Sequence, residues 1–186
     1  MKEETRKHIL ATASELFYSK GYNLTGINEI IDKAGIAKAT LYSHFRSKED
    51  ICLAYLDLRD EDLLTRIASF CAAKPSGNDQ LIGILEFLID FFHSGSFNGC
   101  WCIRTAAEIP RENQRIRDKI KSNKKQFFSF IHNLVISNKQ DLTDEEHESL
   151  SRKIYLLYEG AVTESFVQQE DWPIREAIAS LQLILD

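Results

Sequence analysis

Residues 25–50 read Thr25-Gly-Ile-Asn-Glu-Ile-Ile-Asp-Lys-Ala-Gly35-Ile-Ala-Lys-Ala-Thr40-Leu-Tyr-Ser-His-Phe45-Arg-Ser-Lys-Glu-Asp50, and this stretch decides the fold. Ile27, Ile30, Ile31 and Ala34 recur at the spacing of one helix face, which predicts a short helix over 27–34. Thr25 is placed to cap it, because a threonine oxygen accepts from the orphan amides of a first turn. Gly35 suits the left-handed backbone of a tight turn. A second short helix is predicted over 37–44, with Leu41 and Phe45 as its inward anchors. Two short helices joined by a glycine turn make a helix-turn-helix.

Outward from this stretch, the pattern stays helical. Upstream, Ile9, Leu10, Ala13, Leu16 and Phe17 define one face of a helix over 3–20, closed by Gly21. Downstream, Ser47 followed by Glu49 and Asp50 predicts a capped fourth helix running to about Ala72. Residues 74–78 form a linker. Further helices are expected over 79–93, 100–109, 111–137, 143–169 and 174–185, with Pro110 and the Trp172-Pro173 pair as breaks. Thr143 and Glu146 fit a capping box. The expectation is an all-α chain of about nine helices. Residues 1–60 are expected to form a three-helix domain built on this helix-turn-helix, with the fourth helix as connector, and residues 61–186 a second helical domain.

Composition agrees with a globular helical protein: 44% of the 186 residues are hydrophobic, 27% are charged, and there are only 8 glycines and 3 prolines to break helices. No apolar run is long enough for a membrane span and no signal-peptide layout opens the chain, so a cytoplasmic protein is expected. The four cysteines, Cys52, Cys71, Cys100 and Cys102, are then expected as thiols. The net charge of −5 hides an asymmetry. Between residues 33 and 48 stand Lys33, Lys38, Arg46 and Lys48 with no acid, while the rest of the chain is acidic. A cationic face on an acidic body fits a protein that meets DNA with one end. No nucleophile elbow, phosphate-binding glycine loop or zinc-protease motif is present, which argues against an enzyme. No cofactor and no metal site are expected, since Cys100-Trp101-Cys102 lacks further ligands nearby.

The run Ala34-Gly-Ile-x-Lys-x-Thr-Leu-Tyr-x-His-Phe-x-Ser-Lys-Glu-Asp50 closely resembles the DNA-binding domain of the tetracycline-repressor (TetR) family, and the likeness covers roughly residues 5–60. It implies DNA contacts by Thr25, Lys38, Thr40, Tyr42, Ser43, His44 and Lys48. Lys38 stands at the end of the recognition helix that enters a major groove, and Lys48 stands at a helix N-terminus that attracts phosphate. Three positions depart from the family pattern: Gly26 in place of a hydroxyl residue, Ala37 in place of a capping serine, and Asn28 where an arginine sometimes stands. The resemblance also implies a homodimer, a palindromic double-stranded operator and a small-molecule effector, hence a ligand- or stress-responsive regulator, most commonly a repressor.

For the dimer, the apolar stripes of the last two helices nominate Leu157, Gly160, Ala161, Ile178, Leu181 and Leu185; the same faces would equally serve to close the monomer core. For the effector, the aromatic-rich middle of the chain nominates Phe87, Phe91, Trp101, Arg104, Phe127 and His132, against the alternative of plain core packing. Cys100, at a helix start where the thiolate form is favoured, is a candidate sensor of oxidants or electrophiles. The competing function is a helical adaptor that binds protein or peptide without reading DNA.

Overall fold

The computed structural model describes residues 2–186, and among them it is all-helical. The order is α1 (Lys2–Lys20), α2 (Ile27–Ala34), α3 (Lys38–His44), α4 (Lys48–Ala72), α5 (Asn78–His93), α6 (Trp101–Glu108), α7 (Gln114–Asn138), α8 (Asp144–Gln168) and α9 (Trp172–Leu185). No helix among the described residues is long and apolar enough to cross a membrane. The chain forms two compact units. The first holds the residues up to Glu61 together with Trp101–Asn123; the second holds Asp62–Cys100 and Lys124–Asp186. Residues 101–123 pack with the N-terminal helices in the first unit.

In the first unit, Ile9, Ala13, Leu16 and Phe17 of α1 are buried with Ile30, Ile31 and Ala34 of α2, Leu41 and Phe45 around α3, and Ile51, Tyr55 and Leu56 of α4. Gly35 ends α2 in the left-handed region, at φ 62°. Its N–H meets Asp32 O and the N–H of Ile36 meets Ile31 O, both at 3.2 Å, the paired closure of a glycine-ended helix. His8 Nε2 bonds Ala34 O at 3.1 Å and ties α1 to the same helix end. Ser47 caps α4 as its sequence predicts, its hydroxyl accepting from Asp50 N–H at 3.0 Å.

Residues 101–123 attach to this unit by polar ties from end to end. Arg104 donates to Tyr18 O at 2.5 Å, Asn23 Nδ2 donates to Glu108 O at 2.7 Å, and the Glu108 carboxylate accepts from Asn23 N–H at 2.6 Å. Arg115 clamps Glu49 and Asp50, Lys119 meets Asp57 at 2.9 Å, and buried Asn123 donates to Leu56 O at 3.0 Å.

In the second unit α9 packs on α8 and α5. Leu81, Ile84, Leu85 and Leu88 of α5, Ile154, Tyr158 and Ala161 of α8, and Ile174, Leu181 and Leu185 of α9 are buried. Thr143 and Glu146 form the predicted capping box on α8. Two helix starts differ from expectation. α9 begins at Trp172, with Pro173 inside its first turn, where a missing N–H costs nothing and a fixed φ helps. α7 begins at Gln114, because Asn113 Oδ1 caps it by accepting from Ile116 N–H at 3.1 Å, leaving 110–113 as a turn.

Candidate nucleic-acid interface

The short α3 presents one face to solvent and buries the other. Leu41 is fully buried and Phe45 nearly so, and the Arg6 guanidinium lies 4.8 Å from the Phe45 ring. Lys38, Ala39, Tyr42, Ser43 and Arg46 are exposed, Tyr42 to 44%. Lys38, Ala39, Tyr42 and Ser43 follow the period of a single helix face, so this row is a direct consequence of the inward anchors, while Arg46 lies past the end of α3. Thr40 and His44 are half-buried on its flanks. Ser43 donates its hydroxyl to Thr40 O at 2.8 Å, so it must rotate before it donates to a phosphate. Ala37 supplies no side-chain cap, which leaves the first-turn amides of α3 unmet by any cap side chain.

Charge around this face is distributed unevenly. Lys33 is paired with Glu15 at 3.1 Å, and Lys20 with Glu29. Lys38 and Lys48 make no ion pair among the described residues, so their charge is available. Lys48, at the N-terminus of α4, lies with its ammonium 4.3 Å from the Tyr22 ring. Partial burial pulls its pKa below the usual lysine value, opposed by Cys52 and Glu108. Burial chiefly pushes Tyr22 up to about 12, so its hydroxyl stays protonated.

Thr25 does not join this face. It is fully buried and its hydroxyl donates to Gly21 O at 2.8 Å, closing the turn between α1 and α2. The residue at the N-cap of α2 is Gly26, in extended backbone with no side-chain cap. The helix-cap expectation for Thr25 is therefore corrected: the loop needs the hydroxyl inward to meet a buried carbonyl.

Of the nominated dimer residues, Ala161, Leu181 and Leu185 lie in the core of the second unit. Leu157 and Ile178 are half-buried and Gly160 is exposed. The outward apolar row runs one position aside: Leu156 (67% exposed) and Val167 on α8, Trp172 and Leu183 (78% exposed) on α9. Of the nominated effector residues, Phe87 and Phe91 stack with centroids 6.4 Å apart, and the Arg66 guanidinium lies 5.5 Å from each ring. Phe127 lies 4.7 Å from the Tyr158 ring, and His132 bonds the Ser151 hydroxyl at 3.1 Å while stacking on Phe128. Trp101 and Arg104 belong to the first unit, both against Tyr18.

Cys100 is half-buried, and Lys124 Nζ stands 3.2 Å from its sulfur. Lys124 is itself salt-bridged to Glu159 at 2.6 Å. Residues 100, 124 and 159 have no common sequence signature, so this contact was invisible beforehand. So was Arg59, whose guanidinium carbon lies 4.0 Å from the Tyr18 ring and 5.0 Å from the Trp101 ring. No cluster of three or more metal-ligating side chains occurs among the described residues.

Two short helices, anchored from behind by Leu41 and Phe45 and carried by a chain whose described residues are all-helical, define a helix-turn-helix. Comparison with known proteins makes this particular. The family of bacterial regulatory proteins named for tetR matches residues 9–55. The transcriptional activator FasR of Mycolicibacterium smegmatis is 33% identical over 95 residues, 51% of this chain but only 43% of that protein. The transcriptional repressor NemR of Escherichia coli is 21% identical over 189 residues, 99% of this chain and 95% of that one. In fold, the crystal structure of SCO4454, a TetR-family transcriptional regulator from Streptomyces coelicolor, superposes with a TM-score of 0.87 at 24% identity, covering 98% and 95% of the two chains. Residues 9–55 thus match the family of bacterial regulatory proteins named for tetR, and the proteins that the chain resembles along its length are transcriptional regulators.

Proposed function

We propose that this chain is an effector-responsive repressor that binds a palindromic operator in the cytoplasm as a homodimer. The observation that carries the reading is the outward row Lys38, Ala39, Tyr42 and Ser43 on α3, with Leu41 and Phe45 buried behind it. In this reading α3 lies in the major groove. Lys38 reaches a guanine edge or a phosphate, Tyr42 and Thr40 offer hydroxyls to phosphates, and Ser43 and His44 line the groove. Lys48 binds a phosphate together with the first-turn amides of α4.

Pairing of two copies uses the outward row of α8 and α9. Leu156, Gly160 and Val167 share one face of α8, and Trp172 and Leu183 extend the exposed apolar surface on α9. A Cβ at Gly160 would meet no atom within 4 Å, so the chain's own packing does not require glycine there. A helix of a second copy approaching closely would. Leu157 and Ile178 border this face. The effector is bound within one unit, by the aromatic groups around Phe87, Phe91, Phe127 and His132 of the second or around Trp101 and Arg104 of the first, and α4 and α7, which have residues in both units, relay its binding.

Cys100 supports a second input. The Lys124 ammonium at 3.2 Å stabilises negative charge on the sulfur. An α,β-unsaturated carbonyl would be attacked at its β-carbon. The S–C bond forms as the alkene electron pair moves to the α-carbon, which takes a proton from water.

Selection of bound duplexes from a random-sequence pool, followed by titrations over a range of salt, tests the whole reading. The expected outcome is a palindromic site whose affinity falls linearly in log–log salt. A selected pool without palindromy, or salt-independent binding, refutes it.

A further inference from the structure

An arginine packed against protein needs an acceptor for each N–H that water cannot reach. Elsewhere the chain supplies one: Arg66 meets Asp62 at 3.3 Å, Arg152 meets Glu148 at 2.9 Å, and Arg175 meets Asp171 at 2.7 Å. Arg59 on α4 has no such partner among the described residues, and its Nε is buried without an acceptor. What it has instead is aromatic surface, the Tyr18 ring at 4.0 Å and the Trp101 ring at 5.0 Å from its guanidinium carbon. These rings satisfy the faces of the guanidinium by cation–π attraction, but they leave its buried Nε–H unmet.

The surroundings share this character. Trp101 is itself buried, and its indole Nε1 is a second buried donor with no acceptor. Arg104 brings another guanidinium to the same place, donating to Tyr18 O at 2.5 Å. Tyr55 lies close enough that both arginines act on its hydroxyl; burial pushes that pKa up, and the two cations oppose the shift. Asp60, the next residue on α4, is buried and has a partner of its own. One corner of the first unit thus collects two guanidiniums, three aromatic side chains from α1, α4 and α6, and two buried donors that lack acceptors. Native proteins leave few such donors unmet, and those that remain concentrate where a ligand supplies the acceptor.

We infer that Arg59 and Trp101 form a binding site for an organic carboxylate with a flat apolar body. A carboxylate matches the arginine edge with two acceptor oxygens, and the indole N–H adds a third donor. Tyr18, Tyr55 and the Trp101 ring provide the apolar wall. The site names the chemical class of the effector proposed above and rests on that reading only for its consequence at the operator.

Binding is measured without DNA. The chain has two tryptophans, so Trp172→Phe leaves Trp101 as the sole indole reporter. This protein is titrated with benzoate and phenylacetate, and in parallel with benzamide and phenylacetamide, at constant ionic strength. The acids are expected to change Trp101 emission saturably and the neutral amides are not. Arg59→Met is expected to weaken the acids roughly tenfold or more, and Arg59→Lys by less. The ligand-free Arg59→Met protein should melt no lower than its parent, since it loses a half-buried cation that has no ion-pair partner among the described residues. Equal titration by acids and amides, or no saturable change with any acid, overturns the site. So does an Arg59→Met protein that melts lower yet binds the acids as before, because the guanidinium would then be a structural strut. Acids that bind yet leave operator affinity unchanged uphold the site and refute its role as the effector's.

Discussion

Gly21 and Gly35 both sit in the left-handed region, at φ 95° and 62°, yet replacing each by alanine should cost different amounts. At Gly35 a Cβ would meet nothing within 4 Å, so Gly35→Ala carries only the left-handed backbone penalty, about 1–2 kcal/mol. At Gly21 the Cβ would fall 2.3 Å from Glu108 Oε1. That carboxylate can swing aside, but it then gives up the N–H of Asn23, now 2.6 Å away. Losing a partly exposed charge-assisted bond adds about 1 kcal/mol. Gly21→Ala should therefore destabilise by about 2–3 kcal/mol, and it should melt some 2–4 °C below Gly35→Ala for a chain of this size, with the ~1 kcal/mol difference as the source. Thermal melts by circular dichroism measure both variants. The decisive control is Glu108→Ala, in whose background the excess cost of Gly21→Ala should vanish. An excess that persists without Glu108, or no excess at all, refutes the claim that this glycine exists to seat the end of α6.

Other outcomes follow from the same geometry. Gly160→Leu and Leu183→Glu should leave the melt of the chain nearly unchanged and convert a dimer to monomer in light scattering, whereas Leu181→Glu should unfold the second unit. Brief alkylation of the native protein at neutral pH should label Cys100 alone, because Cys52, Cys71 and Cys102 are buried and burial pushes the Cys52 and Cys71 thiols up to about 12 and 11. Peptide mapping reads the sites. The hydrogen bond from Arg115 holds the Asp50 carboxyl below its usual range. A depressed folded pKa gives stability that is present above the unfolded value and lost as pH falls through the folded one. The melting gap between the parent and Arg115→Met should therefore be full at neutral pH and close below about pH 4.

Much of this was legible in the sequence where one residue type has one physical use. Leu41 and Phe45 could only anchor a short helix from inside, and Ser47 and the Thr143–Glu146 pair could only cap. Ambiguity arose where a residue has two uses. Pro173 ends one helix pattern or opens the next, and only the first turn of α9 distinguishes them. Thr25 could cap a helix, reach a phosphate or close its own loop, and the buried carbonyl of Gly21 decided for the loop. A helix that is apolar on two sides has one stripe for its own core and one for a partner. The spacing of Ile174, Ile178, Leu181 and Leu185 is the same in either case, so the outward row through Leu156 and Leu183 emerged only from burial. The contacts of Arg59 with Tyr18 and Trp101, and of Cys100 with Lys124, join residues too distant in sequence for any local pattern to announce.

The account stands on α3 reading DNA with its exposed row, and the affinity of Lys38→Ala and Tyr42→Ala for the selected operator tests this most directly. Each variant should keep its melt and its oligomeric state and lose roughly tenfold or more in fluorescence-anisotropy titrations. If Lys38 contacts a phosphate, its loss should also lower the salt slope by about one. Two folded variants that bind the operator as tightly as the parent would contradict the account.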